Sequence, residues 1–135
     1  SYAISQNIEI RAFNNVLSVA NSTTTQLGAG ATFTGEWEED LSWQGTMFNI
    51  NADQDLTIVL EQSKDGVTAK NQSIHTYRAN SVGYDAVKLF PLVSNYHRIK
   101  VTNNGSATTT TLHLDSYNTP NFAPVNGLSL TQHIE

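Results

Sequence analysis

Asp55-Leu56-Thr57-Ile58-Val59-Leu60-Glu61-Gln62, with Asp65-Gly66 close behind, decides how the rest of the chain is read. Leu56, Ile58 and Leu60 share a face, because successive strand side chains point to opposite sides. Gly66 tolerates the positive φ of a hairpin turn, so the stretch reads as a strand running into a turn. The same alternation returns in Tyr96-His97-Arg98-Ile99-Lys100-Val101-Thr102, where His97, Ile99 and Val101 oppose Arg98 and Lys100. Asn103-Asn104-Gly105 then turns the chain toward Thr109-Thr110-Thr111-Leu112-His113-Leu114-Asp115, with Leu112 and Leu114 on one face. These two runs are expected to pair as a hairpin.

Working outward, Ala31-Thr32-Phe33-Thr34-Gly35-Glu36-Trp37 alternates with Phe33 and Trp37 inward, and Glu38-Glu39-Asp40 marks a solvated corner. Leu41 to Trp43 and Met47-Phe48-Asn49-Ile50 supply the next strand region, followed by the Asp53-Gln54-Asp55 turn. Ile74-His75-Thr76-Tyr77-Arg78 and Tyr84-Asp85-Ala86-Val87-Lys88-Leu89-Phe90 follow, and Pro91, lacking an N–H, places the latter at a sheet edge or ends it. Short strands at this spacing predict an all-β fold, a single antiparallel β-sandwich or jelly roll of about eight strands.

Residues 1–30 read as an N-terminal arm, 31–117 as the sandwich and 118–135 as a C-terminal strap. Ile8-Glu9-Ile10 alternates weakly and Val16-Leu17-Ser18-Val19 suits a short strand, whereas Asn21-Ser22-Thr23-Thr24-Thr25 and Gly28-Ala29-Gly30 offer nothing to a core. The strap holds Pro120, Pro124 and Gly127, yet Phe122, Val125, Leu128, Leu130 and Ile134 are too apolar for a solvated tail. Both ends are therefore expected to dock on another subunit. Ile8, Ile10, Val16, Leu17, Phe122, Val125, Leu128 and Leu130 are the expected anchors.

A chain of 135 residues fits one domain, and about two-thirds of its unfolded surface can be buried without staples. It has no cysteine, so disulfides and thiolate metal sites are excluded. A net charge of -5 with only seven basic residues provides no cationic field for nucleic acid or anionic lipid. No apolar run approaches the ~20 residues of a membrane span. Ser1 in place of Met is compatible with initiator removal or with an excised fragment.

Chemistry-bearing constellations are weak. His75, His97, His113 and His133 lie on separate segments without paired ligand spacing, although His97 and His113, on strands expected to be neighbours, are placed as a cross-strand packing pair. The Asp53/Asp55 pair and the Glu36, Glu38, Glu39, Asp40 cluster lack EF-hand spacing and read as solvated turns. Neither Gly-x-Ser-x-Gly nor a phosphate-cradling glycine loop is present. No catalytic residue, no cofactor and no metal are expected, and the chain reads as non-enzymatic. Sugar binding is the alternative, with Tyr77 and Tyr84, near loops, as the expected glycan contacts, because exposed aromatics stack on sugar rings. Asn21, Asn71 and Asn104 head glycosylation-type triplets that a Ser- and Thr-rich chain also produces by chance.

Asn21-Ser22-Thr23-Thr24-Thr25-Gln26-Leu27 followed by Ala31-Thr32-Phe33-Thr34-Gly35-Glu36-Trp37-Glu38-Glu39 resembles the opening of small β-sandwich domains, jelly-roll or galactose-binding-like, of bacteriophage and large-virus virion structural proteins. Asp53 to Gly66, Val87-Lys88-Leu89-Phe90 and Tyr96 to Asn103 are similar to later strands of that group. The likeness spans residues 21–117, with Val67-Thr68-Ala69-Lys70 standing where the group usually has an aromatic. What the resemblance implies is a virion component, a capsid decoration or a fibre or tail accessory. Its partners would be copies of itself, a trimer by first expectation, together with other virion proteins. A carbohydrate- or receptor-binding module for a host surface glycan is the alternative role.

Overall fold

Leu56, Ile58 and Leu60 are completely buried in the computed structural model, which describes residues 15–120. Nine strands and two 3₁₀ turns follow in order. They are β1 (Val16–Leu17), the turn Val19–Asn21, β2 (Thr32–Thr34), β3 (Glu38–Glu39), β4 (Gly45–Ala52), β5 (Leu56–Ser63), β6 (Asn71–Tyr77), the turn Gly83–Ala86, β7 (Val87–Pro91), β8 (Tyr96–Asn103) and β9 (Leu112–Thr119). Sheet I runs β1-β9-β4-β7, and sheet II runs β2-β8-β5-β6 with β3 also on β8. All pairings are antiparallel. The fold is the expected β-sandwich.

Between the sheets lie Phe48, Ile50 and Ala52 of β4 with Leu112 and Leu114 of β9, facing Leu56, Ile58 and Leu60 of β5 with Ile99 and Val101 of β8. Each is an alternate residue of its strand, so pleat geometry alone assembles the layer. Gly66 closes the β5–β6 hairpin at φ 74° with its backbone against the Tyr96 ring, where an added Cβ would sit 3.1 Å from Cδ2. Asp65 holds the same loop by accepting from Val67 N and Thr68 N at 2.9 and 3.0 Å. Pro91 ends β7 at the edge of sheet I, where its missing donor costs nothing.

Several expectations are corrected. Tyr96–Asn103 and Leu112–Thr119 do not form a hairpin: β8 lies between β5 and β2 in sheet II, and β9 between β4 and β1 in sheet I. Segment 104–111 crosses from one sheet to the other. Alternation is the same whether consecutive strands lie side by side or face one another across a core, so it could not distinguish the two. The His97–His113 pair fails for the same reason, with His97 buried and His113 exposed on the other sheet. Leu41 to Trp43 form a turn ahead of β4, leaving Leu41 81% exposed. Tyr84 to Ala86 belong to a 3₁₀ turn and not to β7.

The arm boundary at residue 30 also moves. Residues 15–30 are part of the sandwich, with β1 on β9, a bridge from Thr23 to Leu114, and Leu27 in the core. Backbone hydrogen bonds attach this segment, which is why its poor apolar content misled. β9 likewise takes in Asn118 and Thr119 of the strap. Trp37, expected inward, sits half-buried under Arg98 on the outer face of sheet II, its ring centroid 4.4 Å from the guanidinium carbon. The phase resets there, because β2 ends at Thr34 and β3 starts at Glu38.

Candidate functional site

Val16 pairs with Asn118 and Leu17 with Tyr117, so the described chain enters and leaves the sandwich side by side on one edge of sheet I. That edge is apolar and open: Val16 is 50% exposed, Leu17 46% and Val19 78%. A shallow groove runs beside it, lined by Leu17, Val19, Thr23, Thr24 and Asp115. Two of the expected anchors, Val16 and Leu17, are therefore placed on the surface at this point. Ile8, Ile10, Phe122, Val125, Leu128 and Leu130 lie outside the described residues.

A buried polar cluster underlies this edge. Where β2 breaks off before β3, the ladder along β8 has a gap, and Ile99 N donates instead to Asn21 Oδ1 at 2.7 Å. Asn21 Nδ2 in turn donates to Glu36 O at 3.0 Å and Glu38 Oε1 at 2.9 Å, and the residue is fully buried. Ser18 Oγ donates to the same Glu38 oxygen, and Ser22 Oγ donates to Ser18 O while accepting from Ser116 N. Asn118, two residues along β9, reaches Glu38 Oε1 at 3.5 Å. The side chains of the entry segment are thus tied to both sheets by hydrogen bonds, each worth about 0.5–1.5 kcal/mol net but costly to leave half made.

Behind Glu38 stands His97, with no exposure, its Nδ1 2.6 Å from Asp40 Oδ1 and its Nε2 3.5 Å from Glu38 Oε1. Burial pushes the Asp40 carboxyl above its usual range, against the hydrogen bond and charge of His97, while Glu38 and Glu39 add to the rise. Serine, histidine and two acids meet here, but not in the order that nucleophilic catalysis needs. Ser18 donates to a carboxylate and not to the imidazole, and it is only 3% exposed. Among the described residues no three His, Asp or Glu side chains converge on a point that would hold a metal. The arrangement clamps the entry segment to the body.

The acidic turn is likewise committed to structure. Asp53 accepts from Thr110 N and Oγ1 and from Thr111 N, and these bonds, the Thr110 hydroxyl first, hold its carboxyl below the usual range. Asp55 Oδ1 accepts from Ala79 N at 2.9 Å.

Tyr77 is corrected as a glycan contact, because it has no exposed surface. Its hydroxyl accepts from Ala52 N at 3.2 Å, and its one proton is shared between Ser81 O at 3.2 Å and Ala52 O at 3.3 Å. Tyr77 is the last inward residue of β6, beside a loop but turned into the core. Tyr77→Phe is expected to cost about 1–2 kcal/mol by stranding the Ala52 amide, which denaturant unfolding would measure; an unchanged midpoint would count against that role. Of Tyr84 only the backbone is described, in the 3₁₀ turn Gly83–Ala86. The polar clamp went unread, although His97 in phase with Ile99 and Val101 was its signal.

A family profile described as "Uncharacterised protein YqxG N-terminal domain" matches residues 6–119. No curated protein matches. Among solved structures, the PBSX exported protein XepA superposes with a TM-score of 0.66 at 15% identity, over 77% of this chain. The chain spans 37% of that protein's length. A low-affinity xylan binding module from Roseburia intestinalis gives a TM-score of 0.41 at 13% identity, covering 78% of this chain and 89% of the module. A carbohydrate binding module of Cellvibrio mixtus lichenase 5A, solved with cellotriose, gives 0.36 at 12%, covering 80% and 93%.

Proposed function

We propose, for a chain that belongs to the family of the YqxG N-terminal domain, that its work is assembly: a non-enzymatic β-sandwich acting as a virion structural protein, a capsid decoration or a fibre or tail accessory. One observation carries this reading. Both ends of the described chain leave the sandwich together at β1, whose two residues, Val16 and Leu17, are both exposed large hydrophobics. Asn15 and Pro120, the first and last described residues, thus lie beside a surface already short of cover. Sister copies, together with other virion proteins, are the partners that this edge would take, arranged symmetrically.

Burying a large aliphatic or aromatic side chain is worth roughly 1.5–3 kcal/mol. Replacing two anchors therefore removes roughly 3–6 kcal/mol, a factor of about 10² to 10⁴ in association. The double variant Phe122→Asp, Leu128→Asp is expected to sediment as a monomer under conditions where the parent is an oligomer, with thermal unfolding of the sandwich unchanged. An oligomer that survives the two charges, or a parent that is monomeric at every concentration, would refute the assignment.

A further inference from the structure

On the outer face of sheet II, register aligns the side chains into rows that are exposed along β2 and β6 and half-buried along β5 and β8, save the buried Glu61. Thr32, Thr102, Thr57 and Thr76 stand abreast across β2, β8, β5 and β6. The next row is Thr34, Lys100, Val59 and Ile74, and the one after it Arg98, Glu61 and Gln72. Trp37 closes the third row from the β2–β3 gap, its ring against Arg98.

Arg98 is held in an unusual way. Its Nε donates to Glu61 Oε1 at 2.7 Å, and its guanidinium carbon lies 4.4 Å from the Trp37 ring centroid. Glu61 is itself buried and also accepts from Gln72 Nε2 at 3.2 Å. Burial pushes the Glu61 carboxyl up, but the bonds from Arg98 and Gln72 with the charges of Arg98 and Lys100 outweigh it, so the group stays below its usual range and ionised. The Trp37 contact and the Nε bond thus hold the guanidinium in place, yet among the described residues nothing is bonded to its two terminal amino groups. They form a preset fork, the geometry that meets a planar oxyanion with two parallel bonds. Lys100 projects from the same face about 7 Å along the strand and has no ion-pair partner among the described residues.

We infer that this face binds an acidic polysaccharide, with a uronate carboxylate seated on Arg98 and Lys100. The surroundings suit a sugar chain. Threonine hydroxyls meet sugar hydroxyls, while Ile74, 62% exposed, and Val59 offer an apolar strip to the C–H faces of the rings. Two cations on a chain of net charge -5 are too few for nucleic acid, whose affinity rests on many phosphate contacts. A protein partner is disfavoured by Lys100 in the middle row of the face, a residue type depleted from protein interfaces. The face is separate from the edge of sheet I, so this binding stands or falls independently of assembly.

The test is affinity gel electrophoresis of the full chain with polygalacturonate, with dextran and polyphosphate as comparison polymers. Polygalacturonate is expected to retard the protein and dextran to leave it unaffected. Arg98→Gln and, separately, Lys100→Gln should weaken retardation roughly tenfold or more, as loss of a charge-assisted contact does. Lys100→Gln breaks no internal bond, so its result is not confounded by folding. Lys64→Gln with Lys70→Gln, on the β5–β6 loop, should change nothing. No retardation by polygalacturonate, an equal loss from the loop variant, or stronger retardation by polyphosphate would each overturn the inference.

Discussion

Asn21→Ala is expected to destabilise the sandwich by about 2–4 kcal/mol, because it strands the Ile99 N–H and removes the donors that Glu36 O and Glu38 Oε1 accept from. In a domain near this size that corresponds to a drop of roughly 10 °C or more in the midpoint of thermal unfolding. The cause is a gap in a β ladder filled by a side chain at a site with no exposure, out of reach of bulk water. Gly35 shows how closely Asn21 is fitted: a Cβ there would lie 2.0 Å from Asn21 Oδ1 and 2.8 Å from Ala20 O. Gly35→Ala should therefore be severe in the parent and milder, though still costly, in the Asn21→Ala background, where only the backbone clash remains. Additive losses in that double-mutant cycle would show that the two residues do not share the packing described. The same loss should loosen β1 and so weaken any association at that edge.

His97→Leu is the second large expectation, a loss of about 3–5 kcal/mol at pH 7, since it leaves the Asp40 carboxylate buried and unpaired. The sign with pH follows from the direction of the Asp40 shift. Its folded pKa lies above 3.8, so ionising it costs stability as pH rises through the interval from 3.8 to the folded value. His97 supplies the hydrogen bond and charge that restrain that rise. Without them the interval extends upward, and the variant should regain ground on its parent as pH falls and Asp40 is neutralised. Denaturant unfolding at pH 7 and pH 4 measures this, and a deficit of equal size at both values would rule out an unpaired carboxylate as the cause. Asp40→Asn added to His97→Leu should recover much of the loss at pH 7.

Strand content was legible because inward residues alternate without exception in Leu56, Ile58 and Leu60, and in His97, Ile99 and Val101. The β5–β6 hairpin was legible because Asp65-Gly66 carries its own turn geometry. Partner choice was not, as β8 and β9 show: both have a clean buried face, and neither face says which neighbour lies alongside and which lies across the core. The edge at Val16 and Leu17 was named from its apolar residues. That it meets the end of β9, and that Asn21, Glu38 and His97 brace it from beneath, depends on contacts between residues as far apart as Asn21 and Ile99.

Short strands with one buried side each follow from the order of residues alone, since a period of two is a local property of the backbone. Which strands are neighbours, that β1 and the end of β9 share one edge, and that Trp37 and Arg98 meet on an outer face are fixed by folding in three dimensions. Those outcomes are set by ladder pairing and by hydrogen bonds closed across the fold, and each exists only when distant segments are brought together.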